Sequence, residues 1–129
     1  AFHGALRVQN EFVKAVHDRG GIVVTGTDPV GPDLVPGYAL HRELRNLVEA
    51  GFTPLEAIKI ASLNGAKFLG EDPRIGSIAA GKQADLMVVK GNPATTIGDI
   101  EDVEIVFKDG VGYDTEKLIQ SVQGLVGIR

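Results

Sequence analysis

Between Gly20 and Pro32 the chain reads GGIVVTGTDPVGP, and the run Ile22, Val23, Val24 within it is apolar and β-branched without alternation. A strand covered by helices on both faces has this composition, because neither face has to meet water. The run halts at Asp28, and the stretch from there to Gly37 carries Pro29, Gly31, Pro32 and Pro36. Such a stretch continues neither helix nor strand and predicts a long loop. A carboxylate at the C-terminal end of a buried strand stands where α/β folds collect ligands and catalytic groups, since the sheet fixes its position while the loop leaves it open. The feature therefore predicts an α/β fold with Asp28 as its candidate catalytic residue.

The flanking segments support that strand. Phe12, Val13 and Val16 repeat at helical spacing within residues 9–19, closed by Gly20-Gly21 as a C-cap would close a helix. Leu40, Leu44, Leu47 and Val48 predict a second helix over 39–50, ending before Gly51, with Arg42, Glu43, Arg45 and Glu49 as its solvated face. Thr53-Pro54-Leu55-Glu56 is a capping box with Pro at the first helical position. It opens a third helix through Leu55, Ile58, Ser62, Ala66 and Leu69 to Gly70, whose small residues 61, 62, 65 and 66 permit close approach of a neighbour. After Pro73 the period becomes extended. A short piece at Gly76–Ile78, the run 84–89 and the alternating Val103, Ile105, Phe107 before Asp109-Gly110 predict three or four strands. Residues 84–89 and 103–107 are expected to pair, a helix to follow over 115–122, and residues 124–129 to fray.

Composition narrows the function. Seventeen acidic and 13 basic residues are interspersed for a net charge of −4, with no basic run to track a phosphate backbone, so no nucleic-acid partner is expected. Hydrophobic residues at 43% and charged residues at 23% argue against a disordered chain and against a coiled coil. With no cysteine there is neither a disulfide scaffold nor a thiolate metal site, and any metal must be held by nitrogen and oxygen. No apolar run approaches a membrane span and no signal-peptide layout opens the chain, so no membrane partner and a cytoplasmic location are expected. Ala1 stands where an initiator Met would, which fits a piece of a longer protein whose own leader, if any, lies upstream.

Read in order, Gly-Thr-Asp (26–28), His-Arg-Glu-Leu (41–44), Glu-Ala-Gly-Phe-Thr-Pro-Leu-Glu-Ala-Ile (49–58), Ala-Ser-Leu-Asn-Gly-Ala-Lys-Phe-Leu-Gly (61–70), Gly-Ser-Ile-Ala-Ala-Gly-Lys-Gln-Ala-Asp-Leu (76–86) and Gly-Asn-Pro (91–93) span nearly the whole chain. Together they closely resemble the C-terminal part of the amidohydrolase superfamily, nearest its imidazolonepropionase-like and prolidase-like metal-dependent hydrolases. The resemblance implies the C-terminal fragment of a (β/α)8 TIM barrel followed by the C-terminal strands of a small β-sandwich. Residues 1–72 would then be the end of the barrel, with 22–27 its last strand and the next two helices its closing layer. Residues 73–114 would belong to the sandwich, and 115–129 would form a C-terminal helix and tail.

The resemblance further implies that the parent is an enzyme cleaving a carbon–nitrogen bond of a non-peptide amide, cyclic amide or dipeptide-like small molecule with metal-activated water. Asp28 is the position that matches the family's metal ligand and proton carrier, the metal being divalent, with zinc expected. His41, which begins the helix after the long loop, is a candidate substrate-binding residue. His3, His17 and His41 contain no His-x-His and no i, i+4 pair, so the other ligands are not in this chain. His17 reads as a helix-end residue, His3 as terminal and mobile, Asp85 as a structural turn residue, and Gly26 as a packing position ahead of Asp28. The alternative is a folding or assembly module, inactive and metal-free by itself and prone to self-association through the uncovered strand.

Overall fold

The computed structural model describes residues 2–29 and 35–125, with side chains from Leu6 onward. The middle of the predicted loop (30–34), most of the predicted frayed tail (126–129) and the side chain of His3 lie outside the described residues. Helix α1 (Phe2–Asp18) starts well before the predicted boundary, whereas α2 (Tyr38–Glu49) falls where the period put it. The end of α2 shows why Gly51 is there: at φ 97° it lets its own N–H reach the Val48 carbonyl at 3.0 Å and the next N–H reach Leu47 at 3.1 Å. That arrangement satisfies the last carbonyls and turns Phe52 into the core, where it is 3% exposed.

Thr53 opens the third helix as its sequence predicts. Its hydroxyl accepts from the Glu56 N–H at 3.2 Å, while its own N–H donates to Glu56 Oε2 at 2.7 Å. The second bond favours the ionised carboxylate and, with the Thr53 hydroxyl, holds the Glu56 pKa below its ordinary 4.5. A carboxyl group depressed on folding stabilises above its unfolded pKa and loses that contribution as pH falls through the lower folded value. The stability difference between the native chain and Glu56→Gln should thus be constant above about pH 5 and shrink on acidification below 4.5, as read from thermal melts. A difference that stayed flat down to pH 3 would show that the ionised form has no role in the cap.

From that cap α3 (Pro54–Lys59) runs into a π-helical stretch, Ile60–Asn64, and on into α4 (Gly65–Phe68). The uniform α-helix expected here thus contains one wide turn. The small residues are used as expected, by a chain crossing over the helix: a Cβ added at Gly76 would lie 2.5 Å from Ala66 Cβ and 3.3 Å from the Ser62 carbonyl oxygen. Residues 76–78, expected as a short extended piece, form no strand: Gly76 and Ser77 are bends, because Gly76 turns there at φ 84°.

The core is made by Leu44 and Leu47 of α2, Phe52, Ala57 and Ile60, plus Ile100, which arrives from a 3-10 turn at Ile97–Glu101. Val13 of α1 and Val23 pack against it. Arg45 Nη2 bonds Glu101 Oε1 at 2.7 Å and the Tyr38 hydroxyl donates to Glu101 Oε2 at 3.1 Å, fastening that turn to α2. Beyond this core the chain exposes 9293 Å², where about 6,600 Å² suits a compact monomer of this mass. Phe12, Ile22, Val24, Leu40, Phe68 and Ile119 are among the large apolar side chains left open.

A three-stranded antiparallel sheet follows in the order β1 (Leu86–Val89), β2 (Val103–Lys108), β3 (Val111–Asp114). The predicted pairing of 84–89 with 103–107 is present, with Leu86 opposite Phe107 and Val88 opposite Ile105. Asp109 and Gly110, at φ 50° and 80°, form the two-residue turn of the β2–β3 hairpin. Asp85 staples it: Oδ1 accepts from the Asp109 N–H at 2.9 Å and Oδ2 from Lys108 Nζ at 2.6 Å, which is the structural role its motif suggested. Those bonds lower the Asp85 pKa and raise that of Lys108. Helix α5 (Thr115–Ser121) is capped by Asp114, which accepts from the Lys117 N–H.

The segment 21–29 departs from expectation. It has no strand partner among the described residues, and its burial alternates, with Val23, Thr25 and Thr27 half-buried and Ile22, Val24, Gly26 and Asp28 exposed. The period of two is that of an extended chain with only one face covered. A β-branched run encodes extension locally, but its ladder depends on neighbours elsewhere in sequence, and none is present among the described residues. Among the described residues no helix is long and apolar enough to cross a membrane.

Candidate active-site segment

Asp28 lies at the open end of this extended segment. It is exposed, and its φ of 37° is on the left-handed side, a conformation that costs most L-residues about 1–2 kcal/mol and that Asp and Asn tolerate best. Among the described residues, two side chains reach the backbone leading up to it. Asn64, the last residue of the π-helical stretch, donates through Nδ2 to the Val23 carbonyl at 2.9 Å. Glu43 of α2 accepts the Gly26 N–H through Oε1, also at 2.9 Å. A depression of about 290 Å³ opens beside this stretch, lined by Thr25, Gly26, Thr27, Gly37 and Leu40.

Glu43 corrects the expectation of a solvated helix face. It sits four residues from both Ala39 and Leu47, so the helical period carries it onto the buried stripe. The other carboxylate oxygen, Oε2, is buried and has no partner among the described residues. Arg45, assigned to the same outer face, is exposed as expected and is paired with Glu101. The spacing to Ala39 and Leu47 was the signal that could have found Glu43, and Asn64-Gly65, two weak helix formers in mid-helix, the signal that could have found the wide turn. At Gly26 an added Cβ would meet nothing within 4 Å, so the packing role expected of it has no counterpart among the described residues.

His41 is placed elsewhere on α2. Its ring lies 5.6 Å from that of Tyr38, and it lines a cavity of about 500 Å³ with Glu101, Asp102, Thr115, Glu116 and Gln120. Asp28 is not among the residues lining that cavity. His41 Nδ1 is buried without a partner among the described residues. His17 packs edge-on against Phe52, with ring centroids 5.0 Å apart, and its Nδ1 lies 3.4 Å from Asp18. Asp18 is held below the ordinary carboxylate range, first by the bond from Lys14. Among the described residues no group of three or more His, Cys, Asp or Glu side chains could hold a metal ion, so this donor set does not make a complete centre. Asp28 fits one oxygen ligand of such a site and no more.

Residues 6–112 match the amidohydrolase family. The chain belongs to that family. It is 35% identical over 102 residues to adenine deaminase 3 of Rhizobium meliloti (strain 1021), covering 76% of this chain and 16% of that protein. Over 89 residues it is 35% identical to the ochratoxinase of Aspergillus niger, covering 67% and 17%. Among solved structures it resembles a Xaa-Pro dipeptidase with bound methionine, with 34% identity and a TM-score of 0.72 over 81% of this chain and 25% of that one. A prolidase from Bifidobacterium longum gives 38% and 0.71 over 78% and 25%. This amidohydrolase chain thus spans about a sixth of the curated relatives and a quarter of the solved ones. Its helices and antiparallel sheet form a mixed α/β portion of a larger amidohydrolase fold.

Proposed function

We propose that the chain is the C-terminal part of a metal-dependent amidohydrolase that cleaves a carbon–nitrogen bond in a small amide, cyclic amide or dipeptide-like substrate. In this reading residues 22–27 are the last strand of a (β/α)8 barrel, α2 and the capped helix after it close the barrel's outer layer, and β1–β3 join a small sandwich. The observation that carries it is Asp28: a carboxylate at the end of an extended segment whose other exposed residues, Ile22, Val24 and Gly26, share its face. In a barrel that face is the interior, filled by side chains from alternate strands, and its upper end is the active-site mouth. The positive φ of Asp28 adds support, because strained backbone gathers at functional sites.

Asp28 would supply one oxygen ligand to a divalent metal, with zinc the expected ion. A bound metal of this kind lowers the pKa of water to about 7. Asp28 would then take the proton of the attacking water at a carboxylate oxygen and return it to the leaving nitrogen, so its two roles would need one side chain within hydrogen-bond reach of both. His41 remains a candidate for substrate binding only if the missing portion brings substrate to the cavity it shares with Glu101.

That segment 21–29 has no strand partner among the described residues favours a second reading for the chain by itself, a folding or assembly unit with no turnover of its own. The test is to purify the full-length protein and this chain separately and assay both against N-acyl amino acids, X-Pro dipeptides, cyclic amides and aminopurines, with and without chelator. The full-length protein should hydrolyse one class and lose that activity on chelation, while the chain alone should be inert. Turnover by the chain alone, or full turnover in chelator, would overturn the proposal.

A further inference from the structure

Gly26 has no side chain to restrict its own backbone, yet it stands two residues before the carboxylate whose direction matters. The structure ties it down from outside, through the 2.9 Å bond from its N–H to Glu43, while Asn64 ties Val23 three residues earlier. An N–H carries one hydrogen, so a Gly26 amide bonded to Glu43 is withheld from any neighbouring strand. Among the described residues, the last backbone tie before Asp28 is thus a helix side chain and not a sheet bond.

We propose that Glu43 is a positioning residue, which holds the Gly26 amide and, with Asn64 behind it, aims the Asp28 carboxylate. The inference rests on the reading of Asp28 given above. Glu43 suits the task because α2 is anchored in the core by Leu44 and Leu47, directly beside it, so the tie transmits the position of a rigid element. Asn64 suits it because the π turn brings a mid-helix amide to the Val23 carbonyl. Groups one step behind a reacting carboxylate act by orienting it, and their loss costs about 10- to 100-fold in activity or metal affinity.

The experiment uses the full-length protein, metal-loaded and labelled with 15N-glycine, as native, Glu43→Ala and Glu43→Gln forms. In Glu43→Ala the Gly26 amide proton should shift upfield and exchange at least about tenfold faster. With that, kcat should fall about 10- to 100-fold, while KM and the melting temperature change little. Glu43→Gln keeps an acceptor oxygen and should restore most of the exchange protection and of kcat. A Gly26 amide unmoved in Glu43→Ala overturns the proposal, because the tie is then absent. A Gly26 amide that moves while kcat stays at the native value also overturns it, leaving Glu43 a structural contact and Asp28 untouched. Failure of the underlying reading shows separately, as native turnover in Asp28→Asn whatever the Gly26 amide does.

Discussion

Asp28→Asn in the full-length, metal-loaded protein should lower kcat roughly a hundredfold or more, the usual contribution of a positioned acid or base. The substitution is chosen for what it keeps. Asn has nearly the same volume and, like Asp, tolerates the φ of 37° found at this position, so neither the turn nor the fold should suffer. What it removes is the charge and the basic oxygen, which are what a ligand and proton carrier needs and a turn former does not. Stability should therefore be almost unchanged, and bound metal, measured by elemental analysis, should be partly lost. Most of the native turnover surviving in the metal-loaded variant would reduce Gly-Thr-Asp to the end of an extended segment.

The second large effect concerns the 129-residue chain on its own, which is expected to self-associate. Its exposed area exceeds that of a compact protein of its mass, and Ile22 and Val24 are open beside a backbone with no ladder partner among the described residues. Unpaired extended backbone with apolar side chains is a template for another copy. Sedimentation velocity across a hundredfold range of concentration should show species larger than 13.6 kDa whose proportion rises with concentration. A concentration-independent monomer would mean that the exposed face is tolerated in water. Replacing Val24 by Lys should reduce the association if this face carries it.

How much of this was legible in the sequence depended on how local the cause was. The Thr53–Glu56 cap involves groups three residues apart, and it forms as read. The pairing of β1 with β2, and the Asp109-Gly110 turn, were legible because apolar runs ending at glycine turns need partners for their backbone groups. Family membership was legible because six motifs occur in one order across most of the chain, and the match over residues 6–112 bears it out. The segment 22–27 was only half legible: the β-branched run gave extension, but pairing belongs to partners distant in sequence. Glu43 was missed because a charged residue among Arg42 and Arg45 looks like surface, although its neighbours at four-residue spacing are buried. Asn64 was missed because a hydrophobic period does not register one extra residue in a helix.

That extra residue matters for how chains of this family align. A π turn holds one residue more than the α turn it replaces, so Ile60–Asn64 is a place where two homologous chains can differ by a single-residue gap while the helix on either side stays in phase. A homologue that lacks the residue at position 64 would have no amide to offer the carbonyl of its counterpart of Val23. A gap at that position would thus sort the family into members whose counterpart of segment 21–29 is fastened at two points and members in which α2 holds it alone.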